Sequence, residues 1–98
     1  MRSRVRLAAI LLSCSLAVLA SGCATPPVQE MSNARQAIAA AELAGAEAAA
    51  APLLAEARAL LESAELKLQR ENYIGARLDA TSARIKAVEA LERTQQKQ

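Results

Sequence analysis

This 98-residue chain has two thiols, at Cys14 and Cys23, and Cys23 follows a run of small residues. A thiol supplies a nucleophile for covalent modification, and small neighbours let an extended backbone enter a protease cleft. The residues immediately before the cysteine are Leu19, Ala20, Ser21 and Gly22. These residue types make Cys23 a candidate for covalent modification.

The rest of the chain offers little material for catalysis or ligand binding. It contains no His, Trp or Phe, and its single aromatic residue is Tyr73. Metal sites, base-stacking surfaces and general acid/base pairs draw on these residue types. Acidic and basic residues interleave as on a solvated helix face, and no phosphate-binding motif is present. We therefore expect no enzyme activity, no metal or other cofactor, and no nucleic-acid partner.

Residues 1–22 have the plan of a secretory signal peptide. Three arginines precede an apolar run from Leu7 to Ala20, which is interrupted at positions 13–15. A membrane-spanning helix needs about 20 apolar residues, so this shorter run favours a cleaved signal over the alternative, an uncleaved anchor. Residues 23–98 carry nine basic and ten acidic residues. The basic character therefore belongs to the leader, and the remainder is close to neutral.

The segment from Leu19 to Cys23 resembles the lipobox of bacterial lipoproteins, with Ala20 where that family usually has leucine. The resemblance implies that a signal peptidase recognises this segment and cuts before Cys23, whose thiol carries diacylglycerol and fatty acyl chains such as palmitate. Cys14 then leaves with the leader, so no pair of thiols remains for a disulfide. Because Ala24 rather than Asp follows the cysteine, the resemblance implies the periplasmic face of a Gram-negative outer membrane.

A short tether and three helices are expected after the cysteine. Pro26-Pro27 favours extended backbone, so residues 23–32 are predicted to space the lipid from an Ala-rich helical domain over 33–98. Alanine is the best helix former, whereas Pro52 must end or begin a helix. Glu71-Asn72 forms a short turn. These signals predict an all-α fold with helices at about 33–48, 52–70 and 73–94.

The second and third of these helices carry apolar stripes at three- and four-residue spacing. In the third helix the large members of the stripe are Ile74, Leu78, Thr81, Ile85 and Val88. Because a short turn makes helices antiparallel neighbours, we predict a hairpin packed through Leu54, Leu61, Ala64, Leu68, Tyr73, Ala76, Leu78, Ala83 and Ile85. A core this poor in large side chains needs the first helix packed across the hairpin, or a homo-oligomer.

The turn from Glu71 to Ala76 resembles the helix junction of a tetratricopeptide unit. Ala64, Ala76 and Ala83 match the small positions at which the two helices of such a unit touch. The resemblance implies a concave groove for a peptide or protein. No second copy lies about 34 residues away, and such solenoids need about three units to bury their faces. A periplasmic peptide- or protein-binding adaptor is therefore the alternative function.

The leader, the Pro-Pro spacer, the Ala-rich first helix and the Tyr73 hairpin together resemble a bacterial envelope family known as domain of unknown function 4398. The likeness covers about residues 33–92 and implies a helical periplasmic lipoprotein without a defined chemistry. The major outer-membrane lipoprotein is a poorer match, because Pro52 interrupts any continuous coiled coil and Gln98 follows Lys97. We therefore expect a lipid-anchored, non-catalytic envelope protein that binds the membrane through its lipid and an envelope protein or peptidoglycan through its helices.

Overall fold

The computed structural model describes residues 25–98, and within that range every regular element is an α-helix. The prediction of an all-α fold with packed helix pairs is confirmed. Residues 1–24, including the leader and Cys23, lie outside the described residues. The helices are α1 (Val28–Ala44), α2 (Ala46–Ala49), α3 (Ala51–Gln69) and α4 (Tyr73–Gln96).

Helix α1 begins earlier than the sequence suggested. Pro27 occupies the cap position, and its carbonyl oxygen accepts from the N–H of Met31 at 3.0 Å. Proline lacks only its own N–H, and the N–H groups of a first helical turn have no intrahelical acceptor in any case. The two prolines therefore exclude helix at their own positions but not after them. The predicted tether over 23–32 is corrected, since residues 28–32 are helical.

Helix α1 ends with Gly45 as its cap, before the alanine run in which the sequence gives no clear helix end. Gly45 has a φ of 95°, in the left-handed region that glycine enters without steric cost. Its N–H donates to the carbonyl oxygen of Glu42 at 3.1 Å, which satisfies one of the free carbonyls at the helix end. The single predicted helix over 33–48 is thus two helices, α1 and the four-residue α2. Pro52 lies in the first turn of α3, as its missing N–H allows.

The turn between α3 and α4 is a Schellman motif followed by a side-chain cap. The N–H of Glu71 donates to Leu68 at 3.0 Å, and that of Asn72 donates to Lys67 at 2.9 Å. Glu71 has a φ of 60°, an unusual conformation for a residue with a Cβ. The Asn72 side chain then accepts from the N–H of Gly75 at 3.0 Å and starts α4. The reversal is therefore fixed by backbone and cap hydrogen bonds.

The three long helices form a bundle in which α4 contacts both of the others. Near the start of α4, Arg77 pairs with Glu30 of α1, and beyond its far end Gln98 donates to the carbonyl oxygen of Ala44. Helices α1 and α4 therefore run in the same direction, and α3 runs against them. Helices α1 and α3 touch each other much less than either touches α4.

Alanines form the surface of α4 that faces the bundle. Ala76, Ala80, Ala83, Ala87 and Ala90 are all fully buried. Small side chains let helix axes approach toward the short end of the usual 8 to 10 Å range. On α1 the buried positions recur at three- and four-residue spacing, and on α3 they are separated by three and seven residues. They are Met31, Ala34, Ile38 and Ala41 of α1 and Leu54, Ala57 and Ala64 of α3.

The residues predicted to pack the hairpin differ in burial. Leu54, Ala64, Ala76 and Ala83 are buried, and Leu61, Leu68 and Tyr73 are partly buried. The prediction is wrong for Leu78 and Ile85, whose exposed fractions are 64% and 53%, and for their stripe neighbour Ile74 at 70%. Each of these three residues lies two positions before a buried alanine, and two positions correspond to about 200° around a helix. The large residues therefore lie on the face of α4 opposite the bundle.

Replacing Ala83 by Leu tests the alanine contact surface. Ala83 is buried in a cluster with Met31, Ala34, Ala64 and Ala80, where added methylene groups force neighbours out of their preferred rotamers. We expect Ala83→Leu to lower the free energy of unfolding by ~1 to 3 kcal/mol in urea denaturation. The matched control is Ala59→Leu, on the exposed face of α3, with an expected change within about 0.5 kcal/mol. Equal effects would show that α4 packs through another face.

Replacing Glu71 tests the backbone conformation of the turn. Glycine enters the left-handed region freely, so Glu71→Gly removes a strain on the order of 1 kcal/mol and raises the thermal midpoint. Glu71→Ala keeps a Cβ at this position and serves as the control that removes the carboxylate without relieving the backbone. We expect stabilisation from Gly and none from Ala by circular dichroism melting. A lower midpoint for the Gly variant would contradict the strained turn.

Candidate functional site

The predicted modification site, Leu19 to Cys23, lies outside the described residues. The covalent chain nevertheless limits the distance between Cys23 and the first described residue. Thr25, the first described residue, is two positions after Cys23. A chain reaches at most about 3.6 Å per residue, so these two positions allow a separation of about 7 Å between the Cα atoms. Cys23 thus precedes, by two residues, the end of the bundle that holds Thr25.

The chain is attached to the bundle directly after that point. Arg77 of α4 donates from Nη2 to the carbonyl oxygen of Thr25 at 3.2 Å, and from Nε to Oε1 of Glu30 at 3.1 Å. The ring of Pro27 is buried. One guanidinium thus links the segment before α1 and the first turn of α1 to the first turns of α4.

A second polar cluster joins α3 to α4. The carboxylate of Asp79 accepts from Oγ of Ser63 at 2.6 Å and lies 2.7 Å from Nζ of Lys67. The Asp79 side chain is only 17% exposed. The ammonium of Lys67, followed by the Ser63 hydroxyl, lowers the pKa of Asp79 from its ordinary value of 3.8. Asp79 is therefore a fixed, ionised acceptor rather than a proton donor.

A third cluster lies where α1 and α2 approach α3. Arg58 places Nη2 3.0 Å from Oε1 of Glu42 and 2.9 Å from Oε2 of Glu47. The hydrogen bond from Arg58 lowers the pKa of Glu47. All three side chains are solvent-exposed, so the interaction is screened and serves to hold the helix ends rather than to bind a ligand.

Sequence reasoning assigned Arg58 and Lys67 to a solvated helix face, and it missed the contacts that they make between helices. The partners are 16 and 12 residues away along the chain, in Glu42 and Asp79. Such pairs form only after the helices have packed, so residue spacing along the chain does not predict them. Within one helix, by contrast, the pair of Glu89 with Arg93 follows the i,i+4 rule and is legible from sequence.

Among residues 25–98, no group of three or more His, Cys, Asp or Glu side chains could hold a metal ion. In that same range every buried side-chain nitrogen and oxygen has a hydrogen-bond partner. None of its helices combines the length and the apolar character needed to cross a bilayer.

The remaining feature is an apolar surface on α4, here called the α4 outer stripe and formed by Ile74, Leu78, Thr81, Ile85 and Val88. Ile74, Leu78 and Ile85 are more than half exposed, and Val88 is partly exposed. A shallow hollow of about 290 Å³ lies at its second half, lined by Arg84, Ile85, Val88, Glu89 and Glu92. Contiguous exposed apolar surface rimmed by charge is typical of a contact surface for another macromolecule.

Comparison with known proteins finds no matching family model, no matching curated protein and no matching solved structure.

The pH dependence of unfolding tests the Asp79 cluster. Because the pKa of Asp79 is lower in the folded chain than its ordinary value, the stabilisation is complete above that ordinary value. It is lost as the pH falls through the lowered value of the folded state. We expect Asp79→Asn to reduce the free energy of unfolding at pH 7 by about 1 kcal/mol, and to match the parent in strong acid.

Urea titrations across the acid range measure this effect. Glu62→Gln, an exposed carboxylate on α3 without an ion pair among residues 25–98, is the control and should change little at any pH. A deficit for Asp79→Asn that stays constant down to strong acid would mean that the charge of Asp79 is not what stabilises the bundle.

Proposed function

We propose that this chain is a lipid-anchored lipoprotein of the bacterial cell envelope with a structural or interaction role and no catalysis. The observation that carries the proposal is the succession of a signal-like leader, Cys23 after small residues, and a helix that begins five residues later, at Val28. A signal peptide directs export, and the small residues before Cys23 suit processing at the thiol. The bundle then supplies the surface that the anchor holds at the membrane.

The anchor would be firm and the body close to the bilayer. Each buried CH₂ contributes ~0.8 kcal/mol, so one acyl chain binds reversibly whereas the three of a bacterial lipoprotein bind stably. Because Thr25 lies at the end of the bundle where α4 begins, this end would lie at the lipid surface. Helix α4 has 24 residues and so extends about 36 Å, which is the reach of the bundle from its anchored end.

A role in contact rather than chemistry is supported by where the polar side chains are used. Arg77, Asp79 and Arg58 each connect different helices, and their partners are occupied in doing so. The α4 outer stripe is left for contact with another molecule. An envelope protein or peptidoglycan remains the proposed class of partner for the assembled bundle, and the likeness to domain of unknown function 4398 points to the same role.

The proposed location in the cell follows from the lipoprotein resemblance. Ala24 follows Cys23, and an aspartate at that position is the common signal for retention in the inner membrane of Gram-negative cells. We therefore propose the outer membrane, with the bundle on its periplasmic side.

A tetratricopeptide-like adaptor is the second candidate, and one observation favours it. Leu78, two residues after Ala76 in the tetratricopeptide-like hairpin, is exposed and available to a ligand. Against it, α1 packs on the same hairpin along the alanine surface of α4. A groove of that kind would have to lie on the opposite face, where a single helix offers a convex surface.

Replacing Cys23 tests the anchor. Mass spectrometry of the chain expressed in a Gram-negative host should show a mature form that begins at Cys23 and carries diacylglycerol and acyl chains. Density-gradient fractionation should find it with the outer membrane. Cys23→Ser removes the thiol, so we expect this variant to incorporate no labelled fatty acid. It should either leave the membrane after cleavage of the leader or accumulate as the uncut precursor.

Cys14→Ser is the matched control, because it removes a thiol within the leader and should leave lipidation and fractionation unchanged. An unmodified thiol on Cys23, or equal behaviour of the two variants, would refute the anchor.

A further inference from the structure

The α4 outer stripe has the spacing of a coiled-coil seam. Its members are separated by four, three, four and three residues, which is the alternation of the two core positions of a heptad. Ile74, Thr81 and Val88 occupy one of these positions, and Leu78 and Ile85 occupy the other. The stripe lies opposite the buried alanines, so another helix can reach it without disturbing the bundle.

The hollow on this surface has the composition of a coiled-coil hole. In knobs-into-holes packing, each side chain of one helix enters a space between four residues of the other. The hollow is lined by Ile85, Val88, Glu89 and Glu92, which follow one another at i, i+3, i+4 and i+7. In a parallel, in-register pair of α4 helices, the residue opposite this space is Val88 of the second copy. The helix therefore presents both the hole and the side chain that fits it.

The charges beside the stripe select the direction of a partner helix. Arg84 precedes Ile85, Glu89 follows Val88, and these flanking positions face each other across a parallel coiled coil. Arg84 forms no ion pair with any residue in the described range 25–98, although it is exposed. In an antiparallel pair centred on Thr81, Arg84 would instead face Arg77 of the other copy, a repulsive arrangement.

We propose that the α4 outer stripe pairs with the same stripe of a second copy of this chain, parallel and in register. The stripe of an identical chain matches it in spacing, in the hollow at its second half and in the opposite charges of Arg84 and Glu89. The two Thr25 ends would then lie at the same end of the pair, an arrangement that suits two anchors in one membrane. The pairing itself rests on the geometry of α4 and not on lipidation.

Cysteine cross-linking of the full chain in cell envelopes tests the pairing and its direction. Ile74→Cys and Val88→Cys are introduced separately at the two ends of the stripe, followed by mild oxidation. Disulfides require Cα atoms within about 7 Å, so each variant can link to itself only if equivalent residues meet. We expect a disulfide-linked dimer from each variant alone, with the linked peptides identified by mass spectrometry.

Two controls separate pairing from collision and from the native thiols. Ala59→Cys, exposed on α3, should give no dimer. The parent chain without an added cysteine reports any disulfide through Cys14 or Cys23. A dimer from the parent would count against lipidation of Cys23, whereas the linked peptides of the introduced thiols still decide the pairing.

Three outcomes would overturn the proposal. A dimer formed only when Ile74→Cys and Val88→Cys are mixed would show antiparallel packing. Disulfides to a different protein would show another occupant. Linking from Ala59→Cys as strong as that from the stripe would show random contact.

Charge reversal tests the parallel pairing by comparing cross-linking rates among variants that share the same introduced thiol. In the Ile74→Cys background, Arg84→Glu places two acidic residues across the seam and should lower the initial rate of dimer formation about fivefold, equivalent to about 1 kcal/mol. Adding Glu89→Arg restores opposite charges and should recover the rate. Circular dichroism of each variant checks that the bundle is folded. No change with Arg84→Glu, or no recovery with the double variant, would contradict the parallel pairing.

Discussion

The close approach of α4 to two other helices at once is the constraint on which the rest of the bundle depends. Helices approach closely where the side chains between their axes are small, and the buried residues of α4 are five alanines from Ala76 to Ala90, followed by Thr94. Larger side chains, Met31, Ile38 and Leu54, come from α1 and α3 and fill the centre. With alanine at the interface, Ile74, Leu78 and Ile85 are left on the outer surface of α4, whereas Leu91 packs against the core.

An interface of near-identical methyl groups specifies register weakly, because a shift along the helix replaces one alanine by another. The polar clusters supply the missing specificity. Arg77 with Glu30 fixes α1 against α4, and Asp79 with Lys67 fixes α3 against α4. Arg58 does the same for α3 where α1 and α2 meet. Each exposed pair stabilises little, yet a shift of one turn would break them together.

The sequence predicted the helix content and the breaks near Pro52 and Glu71 because proline, glycine and short polar turns act locally. It could not predict which face of α4 is buried. Two stripes with the same periodicity lie about 200° apart on that helix, and hydrophobicity alone favours the stripe with larger side chains. The deciding quantity was the distance between helix axes, which is a property of the packed bundle.

The candidate sites differ in the same way. The motif proposed around Cys23 can be recognised from sequence because a processing site of this kind is a linear segment, defined by residue type and order. The sequence predicts extended backbone as far as residue 32, but α1 begins at Val28 because proline restricts only its own position and the one before it. The polar links between helices were missed because their partners are distant along the chain. The α4 outer stripe was visible in the sequence, but it was assigned to the interior.

The placement of Tyr73 has a practical consequence for spectroscopy. It is the chain's single aromatic residue, and it lies partly buried at the first position of α4, beside the turn and close to the clasp that Arg77 makes with Thr25. Tyrosine emission and near-ultraviolet absorbance therefore report on that one end of the molecule. Fraying of the opposite end, around Gly45 and the last turn of α4, is silent in these signals and visible only to methods that sense the whole backbone.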